Sequence, residues 1–195
     1  MPETPDELYR RARAKVGPDG RLPMPPVVEW QSFPFDGDLL VRALMPPIER
    51  EAPRSGVDAD ECWRCRQGDA DAIWENENWV VTRPPRPSGL PVVVFLNSRA
   101  HIDLDDVDDQ LAADLGRTLV RVHRAVASVP HVERVHVCRW GDGSFHLHFW
   151  FMGRPGRLPQ VRGTFAAIWD DILPPTPEDV WRDNLALVVA ALRNG

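Results

Sequence analysis

Between residues 72 and 97, short runs of aromatic and β-branched residues alternate with turn-forming breaks. AIWEN (72–76), WVVTR (79–83) and PVVVFLN (91–97) predict three strands. From Asp103 to Val129 the period changes: Leu104, Val107, Leu111, Leu115, Leu119, Val122 and Val126 recur at steps of three and four. That spacing predicts one long amphipathic helix over about 104–129. Asp103, Asp105, Asp106, Asp108 and Asp109 crowd its start, and Arg117, Arg121 and Arg124 come later. The charge order suits the helix dipole, so the acidic cluster needs no calcium ion to explain it. ERVHVCR (133–139) and FHLHFWF (145–151) predict two more strands, joined by a glycine-containing turn. Thr176-Pro177-Glu178-Asp179 opens a final helix, with Thr176 as cap and proline at the first position. Val180, Trp181, Leu185, Val188 and Leu192 form its apolar face. The expected class is α+β: an antiparallel sheet of about five strands, one long helix and a C-terminal helix.

Residues 1–58 break this pattern. Thr4 to Val16 carries a helix signal, with Thr4 as cap, Pro5 in the first turn and Asp6 and Glu7 at the positive end. A proline-rich stretch follows, too apolar at Trp30, Phe33, Phe35 and 39–44 for a free linker. The expectation is an arm over 1–58 packed on a main domain over 59–195.

Composition narrows the function classes. A net charge of −6 argues against a surface that holds DNA or RNA polymers, but leaves room for a mononucleotide site built from a few donors. No apolar run approaches the roughly 20 residues of a membrane span, and the N-terminus lacks an apolar signal core. A cytoplasmic location is expected. Lys15 is the only lysine and there are 20 prolines, a composition that suggests a GC-rich bacterial genome.

Three cysteines without a secretion signal point away from disulfides. Cys62 and Cys65 form a Cys-x-x-Cys, which reads as metal or redox chemistry. In FHLHFWF, alternation puts Phe145, Leu147, Phe149 and Phe151 on one face, an apolar one that belongs to the core. His146, His148 and Trp150 share the other face. With His101 in the turn before the long helix, either His146 or His148 completes a set of two thiolates and two imidazoles suited to Zn²⁺. His136 and Cys138 read as satisfied core residues, and His123 and His131 as structural or solvated. Of the tryptophans, only Trp140, beside the glycine turn, is a candidate for stacking on a base.

The order of Cys-x-x-Cys, AIWENENWVV, GLPVVVFLNSRAH, the long helix and HLHFW resembles the histidine-triad (HIT) family. The likeness spans about residues 60–193, and AIWDDILPPTPEDVW resembles the C-terminal segment of bacterial members. The resemblance to zinc-containing bacterial members implies Cys62, Cys65, His101 and His146 as ligands of a structural zinc. It makes His148 the nucleophile that attacks the α-phosphorus of a nucleotide, giving a covalent nucleotidyl-histidine. Hydrolysis or transfer of a nucleotide, or of a nucleotidylated small molecule, is then the expected activity, and homodimerisation the expected assembly.

The chain also departs from the family pattern. Trp150 replaces the third histidine and offers one N–H but no acceptor and no titrating proton. The turn before the triad is shortened to RWGDGS, which places Asp142 near a bound phosphate and leaves Arg139 to offset it. GLP at 89–91 replaces a Gly-His pair. Ser144, Arg139, Trp140 and Trp150 are the expected substrate-binding residues. A binding protein that kept fold and zinc but lost turnover is the alternative reading.

Overall fold

The computed structural model describes residues 3–194, which divide into two compact units at the 52/53 boundary. In the first, helix α1 (Pro5–Arg13) starts at a complete capping box: the Glu7 amide donates to Thr4, and Glu7 accepts from the Thr4 amide. A 3₁₀ turn at Pro26–Glu29 and an edge-on Phe33–Phe35 pair follow.

The second unit holds helix α2 (Trp63–Gln67) and strands β1 (Ala72–Glu75), β2 (Trp79–Thr82) and β3 (Val92–Ser98). Helix α3 (Asp109–Ala127), strands β4 (Val132–Cys138) and β5 (His148–Pro155), and helices α4 (Ala166–Ile172) and α5 (Glu178–Asn194) complete it. The sheet is wholly antiparallel, in the order β1-β2-β3-β5-β4. All five expected strands form, and the class is the α+β one the periodicity predicted.

Three details differ from expectation. The long helix is interrupted: Asp103 caps a 3₁₀ turn at Leu104–Asp106, Val107 is extended, and Asp108 caps α3 through the Leu111 amide. The acidic cluster therefore supplies two successive caps, each carboxylate competing with the helix for backbone N–H groups. Strand β5 begins at His148 rather than at Phe145, because Ser144 pairs with Ser55 outside the sheet and holds the approach in a bend. Thr176 does not cap α5: its hydroxyl donates to the Leu90 carbonyl, and Trp181 N–H bonds the Pro177 carbonyl.

The sheet's two faces are covered differently. Val81, Val92, Val94, Leu96 and Phe151 pack under α3 and α5 with Leu115, Val122, Val126, Leu185 and Val188. Gly153 permits that approach, since a Cβ there would lie 2.7 Å from Val92 Cγ1 and 3.2 Å from Val126 Cγ1. On the other face, Val93 and Met152 form a smaller cluster with Leu90 and Val161, beside Phe95 and Trp150. Gly89 admits α4 there, because a Cβ would meet the Asp170 carbonyl at 2.4 Å. The far end of that face remains open, and the chemistry gathers there.

Candidate functional site

Cys62 sits at the start of α2, so the Cys-x-x-Cys spacing turns both thiols toward the sheet end. His101 lies in the turn after β3 and His146 in the bend before β5. The ligand atoms of Cys62, Cys65, His101 and His146 all lie within 4.8 Å of one another. Cys62 Sγ and Cys65 Sγ are each 3.5 Å from His146 Nδ1, and Cys65 Sγ is 3.4 Å from His101 Nδ1. A tetrahedron with zinc–sulfur bonds near 2.3 Å and zinc–nitrogen bonds near 2.0 Å has sulfur–nitrogen edges of about 3.5 Å.

The outer contacts set the tautomers. His146 Nε2 lies 2.8 Å from the Ser98 carbonyl, and His101 Nε2 lies 3.0 Å from the Val57 carbonyl. A carbonyl only accepts, so each Nε2 carries the hydrogen and each Nδ1 turns a lone pair toward the thiols. Burial keeps His146 below the usual histidine range, which favours the neutral ligand form. Burial, together with the neighbouring Cys62, raises the Cys65 thiol. A divalent cation would relieve that by pairing with two thiolates. The donor set therefore fits zinc. The alternatives left open by the sequence resolve in favour of His146, with His148 outside the cluster.

His148, the first residue of β5, pairs across the sheet with Asn97. Its Nδ1–H donates to the His146 carbonyl at 2.8 Å, which assigns the lone pair of the neutral ring to Nε2. The residue lines a cavity of about 260 Å³ with Trp150, Ser144, Arg64, Asp71, Thr82, Arg83 and Asn97. Asn97 Nδ2 donates to Thr82 Oγ1 at 3.0 Å, which fixes that wall. Trp150 meets Phe95 edge-on at 4.5 Å between ring centroids and Trp140 at 5.6 Å. It fills the third triad position as a wedge of ring surface.

The expected substrate residues separate into two groups. Ser144 and Trp150 line the cavity; Trp140 backs Trp150 from outside it. Arg139 is engaged elsewhere, ion-paired to Asp103, whose other oxygen takes Arg54. Arg54 also donates to the Gly141 carbonyl at 2.9 Å, so the shortened turn is fastened by this triad of charges. Asp142 is exposed and not among the lining residues. His136 departs from its reading as a satisfied core residue, because its Nε2 is buried with no hydrogen-bond partner among the described residues.

The cavity's cations were not visible in the sequence. Arg64, between the two cysteines, is 8% exposed. Arg83 follows β2 and stacks over Trp181 at 5.4 Å. The signal for Arg64 was its place inside Cys-x-x-Cys, which carries any residue there toward the sheet end. Among the described residues no helix is long and apolar enough to cross a membrane.

No family model matches the sequence, and no curated protein is similar to it. Solved structures are similar. A histidine-triad protein from Sinorhizobium meliloti 1021 is 15% identical, with 69% of this chain and 99% of that one covered and a TM-score of 0.52. One from Marinobacter aquaeolei VT8 is 17% identical over 66% and 94%, with a TM-score of 0.51. A zinc-bound histidine-triad family protein from Mycobacterium smegmatis is 22% identical over 70% and 96%, with a TM-score of 0.50. On the strength of sheet order, site geometry and these likenesses, this chain has the histidine-triad fold.

Proposed function

We propose that the protein transfers nucleotidyl groups through His148. The observation that carries this reading is the tautomer of His148. Its Nδ1–H is held by the His146 carbonyl, so in the neutral ring the lone pair belongs to Nε2, and the residue lines a cavity that also contains two arginines. A neutral imidazole attacks phosphorus near pH 7 without needing a strong base. Arg64 and Arg83 supply positive charge for the phosphoryl oxygens, against one lining carboxylate, Asp71. Phe95 and Trp150 give the ligand an apolar wall. His148 Nε2 forms a bond to the α-phosphorus as the bond to the leaving group breaks. Water or another acceptor then takes the nucleotidyl group and returns the electron pair to Nε2.

Zinc held by Cys62, Cys65, His101 and His146 would supply cross-linking of α2, the turn after β3 and the approach to β5. The short-edged cluster and its two carbonyl-fixed imidazoles support that structural role. A homodimer is part of the same reading; the open edge of β4, with exposed Val137, and exposed Val120 on α3 support it.

The test is incubation with adenylated amines, phosphoramidates and dinucleotides, following AMP release and the intact mass of the protein, with His148→Ala alongside. A nucleotidyl adduct confined to the protein carrying His148 is expected. Equal rates for the two proteins would sink the proposal. A second reading, ligand binding without turnover, is favoured by Trp150, whose indole transfers no proton. Nucleotide binding with no His148-dependent release would select it.

A further inference from the structure

Helix α3 carries a row of arginines on a chain whose net charge is −6. Arg117, Arg121 and Arg124 stand four and three residues apart, so they share one face of the helix. All three line a cleft of about 660 Å³ that also reaches Asn76, after β1, and Ala191 on α5. Helices α3 and α5 cover one face of the sheet, and His148 lies on the other. The helix dipole accounts for positive charge near the C-terminal end of α3. It does not account for how the Arg121 guanidinium is held. Its Cζ lies 4.9 Å from the Trp74 ring centroid, and Nη2 donates to the Leu192 carbonyl. Its Nε is buried and has no hydrogen-bond partner among the described residues, and no carboxylate among them pairs with this half-buried cation. A fixed, uncompensated charge with an unused N–H is costly to bury and selects an anion.

The rest of the lining is biased the same way. Arg124 is exposed and makes no ion pair among the described residues. Asn76 Oδ1 accepts from the Asn78 and Trp79 amides at 3.0 and 2.8 Å, which leaves the Nδ2 hydrogens as the group to give. The lining carboxylate, Asp114, is already used: it accepts from Asn78 Nδ2, Trp79 Nε1 and Arg117 Nη2. Three cations and an amide donor thus stand against one carboxylate that is satisfied.

We infer that this cleft is a second ligand site, which binds a small polyphosphate anion between Arg117, Arg121, Arg124 and Asn76. Arginine suits that ligand, since its planar fork of N–H groups matches phosphoryl oxygens and keeps its charge at any working pH. The spacing favours linked phosphates over a single one. At about 1.5 Å of rise per residue the row from Arg117 to Arg124 spans roughly 10 Å, which one phosphate does not bridge and a chain of three does. The site stands apart from His148 and does not depend on the chemistry there.

The experiment is isothermal titration of the full chain with tripolyphosphate, pyrophosphate and inorganic phosphate at constant ionic strength, which separates a site from general screening. Affinity is expected to rise about tenfold or more from phosphate to tripolyphosphate, the worth of one added charged hydrogen bond. Arg117→Gln and Arg124→Gln, both at exposed positions, should each weaken tripolyphosphate roughly tenfold on the same scale. Arg121→Gln should weaken it further, and its melting temperature shows whether the loss of the Trp74 contact disturbs the fold; if it does, the two exposed variants decide. Arg162→Gln, at an exposed arginine before α4, removes the same charge and should leave the affinity unchanged. Val120 lines this cleft and also serves the expected dimer, so the titration covers concentrations at which sedimentation velocity shows monomer and dimer. Binding to neither species, or equal affinity for the three anions, overturns the inference. So does a tripolyphosphate affinity unmoved by the α3 variants, which puts the anion elsewhere, or an Arg162→Gln effect as large as theirs.

Discussion

His146 and His148 stand two residues apart, and their surroundings differ in kind. Around His146 every polar atom is spoken for: Nδ1 faces two sulfurs, Nε2 meets a carbonyl, and the ring is 3% exposed. Around His148 the polar groups are incompletely used. In the neutral ring its Nε2 carries the lone pair, Arg64 Nε lacks a hydrogen-bond partner among the described residues, and Asp71 Oδ1, ion-paired to Arg64 Nη1 at 3.6 Å, lacks one too. Closed polar networks stabilise a fold, whereas a wall with unmatched donors and acceptors is poised for a ligand. The Cys-x-x-Cys loop joins the two regions, because its cysteines face one and Arg64 the other.

That contrast breaks first at His148. Replacement by alanine is expected to abolish adduct formation and reduce nucleotide release by on the order of 10³-fold or more, with the melting temperature nearly unchanged. A fall in melting temperature matching that of a metal-ligand variant would erase the distinction between the two histidines. His146→Ala or Cys62→Ser should act in the opposite sense. Metal content measured by elemental analysis should drop from about one zinc per chain, and stability to urea should fall by several kcal/mol. Normal stability in a zinc-free ligand variant would mean that the cluster does not hold the fold.

Trp150→Ala sharpens the comparison from the cavity side. It removes the edge-on contacts to Phe95 and Trp140, and a loss of about 3 kcal/mol is expected by urea unfolding. A loss below about 1 kcal/mol would mean the indole is held for the ligand and not for packing.

The smallest effect provides a control away from both histidines. Asp114 accepts from Asn78 Nδ2 at 3.0 Å and from Trp79 Nε1 at 2.8 Å, and these bonds hold its carboxyl below the usual range, led by Asn78. The folded state thus prefers the ionised form. Its contribution is fully present above the ordinary carboxylate pKa and is lost as pH falls through the depressed one. Asp114→Asn should lower stability near neutrality by about 1 to 2 kcal/mol and flatten the acid limb of a urea titration. An unaltered acid limb would shift that dependence to other carboxylates.

Much of this molecule was readable from local pattern. Runs of aromatic and β-branched residues bounded by turn formers gave all five strands, because those side chains favour extended backbone before any partner is known. The alternation in FHLHFWF separated Phe149 and Phe151, under α3, from His148 and Trp150, at the cavity. The ligand set was visible apart from the choice between two histidines, and one hydrogen-bonded carbonyl decides it. The break in the long helix was harder to see, since Val107 fits the helical period while Asp108 competes for the next amides.

The residues around the nucleophile were of another kind. Arg64 and Arg83 look like ordinary solvated arginines in sequence, and only the approach of α2 and the end of β2 to the open face makes them cavity lining. Arg139 looked free for a phosphate, and only the bend after β4 brings it to Asp103. Sequence alone determined the elements, their faces and the metal donors, because those depend on neighbours one to four residues away or on the chemistry of the donors. Tertiary structure decided which charges are spent and which remain for a ligand, because that depends on partners dozens of residues distant.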